Sequence, residues 1–166
     1  MPDTSDRFKL PLLAAGQAQK EITHNEALTL ADMLLHSVVV SVAPATIPST
    51  PLPGQCWIVG NSPTGAWAGQ SGAIAGWSTG GWRFVAPIDG MAVWNLAESL
   101  VVRRIGGTWV AGTVTATSLK IGGNQVVGAR GASIANVSGG SVIDVEARAA
   151  INSVLITLRS HGLIAP

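Results

Sequence analysis

The stretch from Asp144 to Ser160 (DVEARAAINSVLITLRS) constrains this chain most, because it predicts a helix that is apolar around most of its circumference. Asp144 is a suitable N-cap with Glu146 in the first turn, while Arg159 lies in the last turn and Gly162 follows as the expected stop. Such a helix, about 17 residues long, is marginal alone in water. Few residues follow it in the sequence, so we expect copies of the same helix from other chains to cover it.

One face of this predicted helix carries apolar residues at steps of four, three and four. In a bundle of three copies we expect Ile151 and Val154 to be innermost, with Ala147 permitting close approach near the helix start. The candidate oligomerisation residues are Ala147, Ile151, Val154, Leu155 and Leu158.

The composition agrees with an assembled protein better than with a solitary one. Hydrophobic residues make up 47% of the chain and charged residues 11%, whereas about 25% charged is typical. This predicts surface hidden between subunits, or a β-rich exterior of small polar residues. The net charge of +1 provides no basic field for nucleic acid. The single cysteine, Cys56, excludes an intrachain disulfide, and its strand-like surroundings predict a buried, inert thiol.

Neither export nor membrane insertion is predicted. Residues 1–21 contain Asp3 and Asp6, and their short apolar run is broken by Pro11, which is unlike a secretory signal peptide. No run of about 18 uncharged apolar residues predicts a membrane-spanning helix. We therefore expect the protein to be made and assembled in a cytoplasm.

The sequence divides into three regions. Residues 1–53 predict an extended arm, a helix with Thr23 as N-cap and Glu26 as its capping-box partner, a short strand at 38–42, and a loop with four prolines in 43–53. Residues 54–116 predict an antiparallel β domain. Residues 117–166 predict a β-hairpin followed by the C-terminal oligomerisation helix. The predicted fold class is α+β, mainly β.

The β domain contains two passages that resemble each other weakly, each predicting a three-stranded meander. Pairs of glycines at 80–81 and 106–107 suit tight hairpins. The strands are expected at 54–59, 73–77 and 82–85 in the first passage and at 90–96, 100–105 and 108–110 in the second.

A specific motif points to a family. GQAQKEITHNEAL (16–28), followed by PGQCWIVG, GAWAG, GGWRFVAP and GGTWV, resembles an uncharacterised domain family over about residues 10–112. That family occurs in tail-fibre and spike proteins of alphaproteobacterial phages, prophages and gene transfer agents. The C-terminal segment is similar to that of many phage tail and spike proteins. The resemblance implies a virion component, trimeric and near the receptor-binding apparatus, and it brings no catalytic residues.

The sequence does not contain a pattern of residues that predicts a catalytic or metal-binding site. The histidines, His24, His36 and His161, are too scattered to bind one metal at helical spacing. Asp89 and Glu98 are the candidates for a glycosidase carboxylate pair, but the sequence predicts no cleft that would place them together. Nucleophile-elbow and phosphate-loop motifs are lacking. We expect no enzyme activity, no cofactor and no metal.

The tryptophans offer an alternative to a purely structural role. Trp67 and Trp77 lie near glycine-rich loops and are the candidates for exposed rings that stack on sugars. Arg103 is a further candidate, for an anionic glycan, although a solvent or subunit salt bridge is the simpler expectation for the Arg103–Arg104 pair. Strand-like alternation instead predicts a core position for the other four tryptophans, Trp57, Trp82, Trp94 and Trp109.

Two hypotheses result. The first is a homotrimeric structural virion protein of a phage or gene transfer agent, forming part of a spike or tail fibre that attaches to the host cell surface and contacting other virion subunits through its N-terminal arm. The alternative is a carbohydrate-binding adhesin module that recognises capsular polysaccharide or lipopolysaccharide.

Overall fold

The chain folds into two compact units in a computed structural model that describes residues 3–141 and 144–166. The first unit extends to Thr113 and the second begins at Val114, close to the predicted boundary at 116. The region predicted as a separate N-terminal part, residues 1–53, instead belongs to the same unit as the β domain.

The fold is α+β and mainly β, as predicted. The helices and strands of the described residues are α1 Lys20–Leu34, β1 Val38–Val39, β2 Cys56–Ile58, a 3-10 turn Gly65–Trp67, β3 Ile74–Ser78, β4 Gly81–Val85, β5 Ala92–Asn95, β6 Leu100–Ile105, β7 Thr108–Ala111, β8 Leu119–Ile121, β9 Asn124–Val127 and α2 Val145–Ser160.

Both predicted meanders are confirmed. Strands β2, β3 and β4 form one antiparallel sheet, and β5, β6 and β7 form another. The second sheet gains a fourth strand because β1 pairs in parallel with β5, placing Val38 opposite Trp94. This pairing ties the helix-bearing N-terminal region into the β domain, which explains why no unit boundary falls at residue 53.

Two hydrophobic clusters form on opposite faces of the β2–β3–β4 sheet, because side chains alternate along a strand. Cys56 and Ile58 of β2 join the cluster that contains Val93 and Val102 of the second sheet. Trp57, between them on β2, belongs to a cluster of tryptophan and small apolar side chains. The β2 strand is therefore buried on both faces.

Helix α1 packs against the first sheet through Met33. Gly76 on β3 makes this possible, because a Cβ built there would lie 2.6 Å from the Met33 Cε. Met33 is itself buried in the cluster with Cys56. The missing side chain thus allows the helix to approach the sheet closely.

The predicted start of α1 was wrong. The helix begins at Lys20, its N-cap is Gln19 in the left-handed region, and no side chain caps it. Thr23 lies inside the helix. Glu26 does not reach back to it but forms a salt bridge of 2.8 Å with Arg83 on β4. In the first turn of the helix, the Glu21 carboxylate instead accepts from the Gly16 N–H of the preceding segment at 3.2 Å.

The predicted extended arm is held against its own chain. The Asp32 carboxylate accepts the backbone N–H groups of Arg7 and Phe8, each at 2.8 Å. In return the Arg7 guanidinium donates to four carbonyls between residues 32 and 36 at 2.7–3.1 Å. Because α1 has no basic residue in its own last turn, Arg7 supplies the positive charge that a helix C-terminus favours.

Among the residues that the structure describes, no helix has both the length and the apolar character that crossing a membrane requires.

Candidate assembly surface

Helix α2 forms as the sequence predicts. The Asp144 side chain accepts the Ala147 N–H at 2.8 Å, which satisfies one of the free donors of the first turn. At the other end Gly162 adopts a left-handed conformation with φ of 71°, and the Leu163 N–H donates to the Leu158 carbonyl at 3.0 Å. Both helix ends are therefore specified locally.

One side of α2 is covered by the loop that precedes it. Asn152 accepts from the Val137 N–H at 3.1 Å, and Arg159 donates to the Asn136 side chain at 2.8 Å and to the Ile134 carbonyl. Arg148 donates to the carbonyl of Gly139. The loop thus runs antiparallel to the helix along its polar side.

Leu155 belongs to this covered side, which corrects its assignment as an oligomerisation residue. It is only 6% exposed. At 100° per residue it projects on the same side of the helix as Arg148, Asn152 and Arg159, the three side chains that bind the loop. Its apolar surface is already buried by its own unit, so it is not free to contact another chain.

The other four predicted oligomerisation residues form a separate stripe. Ile151 is 47% exposed and Val154 is 58% exposed. Ala147 is also exposed, and Leu158 is half-buried. The steps of four, three and four between them place all four on one face of α2. We call Ala147, Ile151, Val154 and Leu158 the α2 stripe.

The β8–β9 hairpin is the second exposed feature of this unit. All residues of both strands are exposed, including Leu119, Ile121, Val126 and Val127. The hairpin forms a two-stranded sheet by itself. Isolated two-stranded hairpins are marginally stable in water, so this hairpin is short of packing partners within the described residues.

Trp67 and Trp77 do not form the exposed pair that the sequence predicted. Trp67 is 3% exposed, because the 3-10 turn directs it into the cluster that contains Trp57. Trp77 is half-buried against the same cluster. Both rings meet Trp82 edge to face, with centroids 5.1 and 5.0 Å away. These rings build the fold, and Trp67 has no face free for a sugar.

The four tryptophans predicted for the core have mixed outcomes. Trp57 is buried, and Trp82 and Trp109 pack against the two clusters. The prediction was wrong for Trp94, which is 41% exposed. On β5 the alternation directs Val93 and Asn95 inwards and Trp94 outwards.

Arg103 lies exposed on β6, and its neighbour Arg104 is half-buried, as expected for successive residues of a strand. Among the described residues, no hydrogen bond or ring contact joins Arg103 to Trp67 or Trp77. Trp67 and Trp77, by contrast, share one cluster and both contact Trp82.

The carboxylates considered for catalysis have structural partners. Asp89 accepts from the Gly107 N–H at 3.1 Å, and Glu98 accepts from the Asn95 amide at 3.2 Å. The two residues flank β5 at its opposite ends. Within residues 3–141 and 144–166, no group of three or more histidine, cysteine or acidic side chains is placed to hold a metal ion.

Cys56 is buried, as predicted. Burial raises the pKa of its thiol to about 11, an effect that the charge of Arg7 reduces and that of Asp32 reinforces. A thiol in this state is protonated at neutral pH and is a poor nucleophile.

The sequence did not lead us to predict that polar side chains of the GQAQKEITHNEAL motif join the arm and the sheet to α1. The Asn25 side chain accepts the Leu13 N–H and donates to the Leu13 carbonyl, both at 2.9 Å. With Glu21 and Glu26, it ties the arm to α1 and α1 to the sheet. The signal that could have predicted these contacts is the series of acidic and amide residues along α1, namely Glu21, Asn25 and Glu26.

The comparisons place this architecture in a family. Residues 24–110, just over half of the chain, match a family model described as a protein of unknown function, DUF2793. The chain belongs to this family. The match runs from α1 to β7 and leaves the second unit outside it. No curated protein matches the chain significantly.

Proposed function

We propose that this protein is a structural component of a phage or gene-transfer-agent particle, a homotrimer within a spike or tail fibre that attaches to the host cell surface. The α2 stripe is the observation that carries the proposal. The resemblance of the sequence motif to tail-fibre and spike proteins supports the assignment to such a particle and the trimeric state. Under this proposal the chains assemble in the bacterial cytoplasm and act without catalysis or a cofactor.

The small core of the second unit supports assembly. Among its described residues only two apolar side chains, Leu155 and Ile164, are buried. A unit of this size needs more buried apolar surface, a metal or a partner in order to be stable. Association supplies that surface at roughly 25 cal/mol per Å² of apolar area, before the entropic costs of binding.

A second copy of the chain is the partner that best fits the α2 stripe. The spacing of four, three and four is that of coiled-coil core positions, so the same stripe on a neighbouring helix is complementary to it. The stripe carries no charged residue, and Ala147 permits close helix approach. An isologous or threefold contact therefore buries the stripe without a separate partner surface.

The hairpin supports the same assembly. The outer edges of β8 and β9 lack neighbouring strands among the described residues, and an unpaired edge is a site for pairing with another chain. Hairpins from several copies would complete one another while the helices pack together. The first unit, with its arm held to α1, would then remain available for other particle subunits and for the host surface.

Substitution of Ile151 tests this proposal, with Ile156 as the matched control. Ile156 is also exposed on α2 but lies outside the stripe. We expect Ile151→Asp to dissociate the oligomer, because a charge buried among apolar side chains is strongly unfavourable. Ile156→Asp should leave it intact. The measurement is light-scattering mass, which should be three times 16.9 kDa for the unmodified chain and for Ile156→Asp.

Two results would contradict the proposal. One is an unmodified chain that stays monomeric at every concentration examined. The other is an Ile151→Asp variant that keeps the oligomeric mass, which would place the contact elsewhere.

A further inference from the structure

The first unit contains two adjoining clefts. One, of 230 Å³, is lined by aliphatic residues of the first unit together with Arg104, Thr108 and Trp109. The other, of 370 Å³, is lined by Thr46, Ser62, Thr64 and Trp67, among others. Both clefts share Gly60 and Asn61. The clefts therefore adjoin at these two residues, and we refer to them together as the groove and to each one as a compartment.

Gly72 organises the first compartment. Its carbonyl accepts the Trp109 indole N–H at 2.8 Å, and its own N–H donates to the Val59 carbonyl at 3.0 Å. A Cβ at this position would lie 3.3 Å from the Arg104 Nη1, and φ is +73°, a conformation that favours glycine. Gly72 thus fixes the indole and leaves space for the guanidinium.

The Arg104 guanidinium is held in place, but no acidic side chain among the described residues neutralises its charge. Its guanidinium carbon lies 5.8 Å from the Trp109 ring centroid, within the range of a cation–π interaction. No hydrogen bond or ion pair joins its side chain to the described residues. Arg104 is also the one charged residue, among those described, that lines either compartment. It presents a planar set of donors to the groove.

We propose that this groove binds a carboxylate-bearing sugar of an acidic polysaccharide, with Arg104 paired to the carboxylate. A single arginine suits one carboxylate, which it can bind through two hydrogen bonds. The Asn61 amide binds ring hydroxyls, and Thr108, which donates to the Ile105 carbonyl at 3.0 Å, still accepts. The inference rests on the attachment function proposed above and names its ligand class.

The second compartment receives the adjoining sugar unit. Its lining combines hydroxyl and amide groups from Thr46, Asn61, Ser62 and Thr64 with apolar contacts from residues such as Ile47. This mixture matches the hydroxyl edges and apolar faces of a sugar ring. Trp67 also lines this compartment, and its buried indole N–H has no hydrogen-bond partner among the described residues.

A titration of the intact chain with trigalacturonate tests the proposal, and its fully methyl-esterified form is the control ligand. The ester keeps the rings and free hydroxyls but lacks the negative charges. We expect the indole N–H signals of Trp109 and Trp67 to shift on binding while those of the other four tryptophans stay in place. The expected Kd is on the order of 1 mM, weakening with added salt. The ester should cause no such shifts.

Two arginine variants make the assignment specific. Arg104→Gln should weaken binding at least about tenfold, because it removes a charge-assisted pair. Arg103→Gln removes the same charge from the opposite face of β6 and should change the Kd less than about twofold. Equal losses in both variants, equal binding of the ester, or unmoved Trp109 and Trp67 signals would each overturn the proposal.

Light-scattering mass measured on the same samples separates this inference from the assembly proposal. A trimer that fails to bind refutes the groove as a binding site. A monomer that binds with the expected arginine dependence refutes the trimer and leaves the groove assignment intact.

Discussion

Trp82 is the residue on which the tryptophan cluster converges. Its ring meets those of Trp57, Trp67 and Trp77 edge to face, with centroid separations of 5.0–5.6 Å. Each such contact adds stability beyond the apolar area that it buries. Trp94 is the same residue type in the other sheet of this unit, but it is 41% exposed. A comparison of the two positions therefore distinguishes the contribution of packing to stability from that of the residue type.

Replacing Trp82 with alanine should be far more damaging than replacing Trp94. We expect Trp82→Ala to lower the free energy of unfolding of the first unit by about 3–5 kcal/mol, since it leaves a cavity among three rings. Trp94→Ala should cost less than about 1.5 kcal/mol. Urea unfolding followed by the remaining tryptophan fluorescence measures both, and equal costs would show that the cluster is not the main source of stability.

At the scale of elements, the arm and α1 stabilise each other through reciprocal hydrogen bonds. Asp32, which is buried, serves two backbone donors of the arm, and Arg7 serves the carbonyls that end the helix. These partners lie about one helix and one loop apart in the sequence. Their pairing depends on the path of the chain and not on local propensity.

Removing the Asp32 carboxylate should detach the arm from the helix. We expect Asp32→Ala to cost about 2–4 kcal/mol, because the backbone N–H groups of Arg7 and Phe8 lose their acceptor. Asp3→Ala, at an exposed position of the arm, is the control and should cost less than about 0.5 kcal/mol. Hydrogen exchange at the Arg7 and Phe8 amides should accelerate in Asp32→Ala alone, and unchanged protection there would contradict the assigned bonds.

At the scale of the whole molecule, tryptophan fluorescence and helical circular dichroism report on different parts of the chain. All six tryptophans and helix α1 lie in the first unit, whereas α2, which is similar in length to α1, lies in the second. Fluorescence therefore reports on the first unit only. Helical circular dichroism reports on both.

Dilution should separate the units, because only the second depends on association in our proposal. We expect about half of the helical signal to disappear on dilution, at concentrations where tryptophan fluorescence is unchanged. Raising the concentration should raise the midpoint of the helical transition and leave the fluorescence transition in place. A helical signal that is independent of concentration would mean that α2 is stable within a single chain.

Local patterns predicted the elements well. The glycine pairs and alternating apolar residues located both meanders, and Asp144 with Gly162 located the ends of α2. The start of α1 was mispredicted because Thr23 and Glu26 fit a capping box, yet Arg83, 57 residues away, takes the Glu26 carboxylate. Trp67 was mispredicted because glycine-rich surroundings suggested a surface loop, whereas the 3-10 turn directs its ring inwards.

The sequence by itself determined which segments become helices and strands, and it determined that α2 carries more apolar surface than its own unit can bury. Those properties depend on residues close together in the chain, through hydrogen-bonded periodicity and capping. Only the tertiary structure decided that Leu155 is covered while Ile151 and Val154 are not, that Arg7 completes α1, and that Gly72 meets both Arg104 and Trp109. Each of these depends on residues brought together by the chain path, whose side-chain contacts no local pattern specifies.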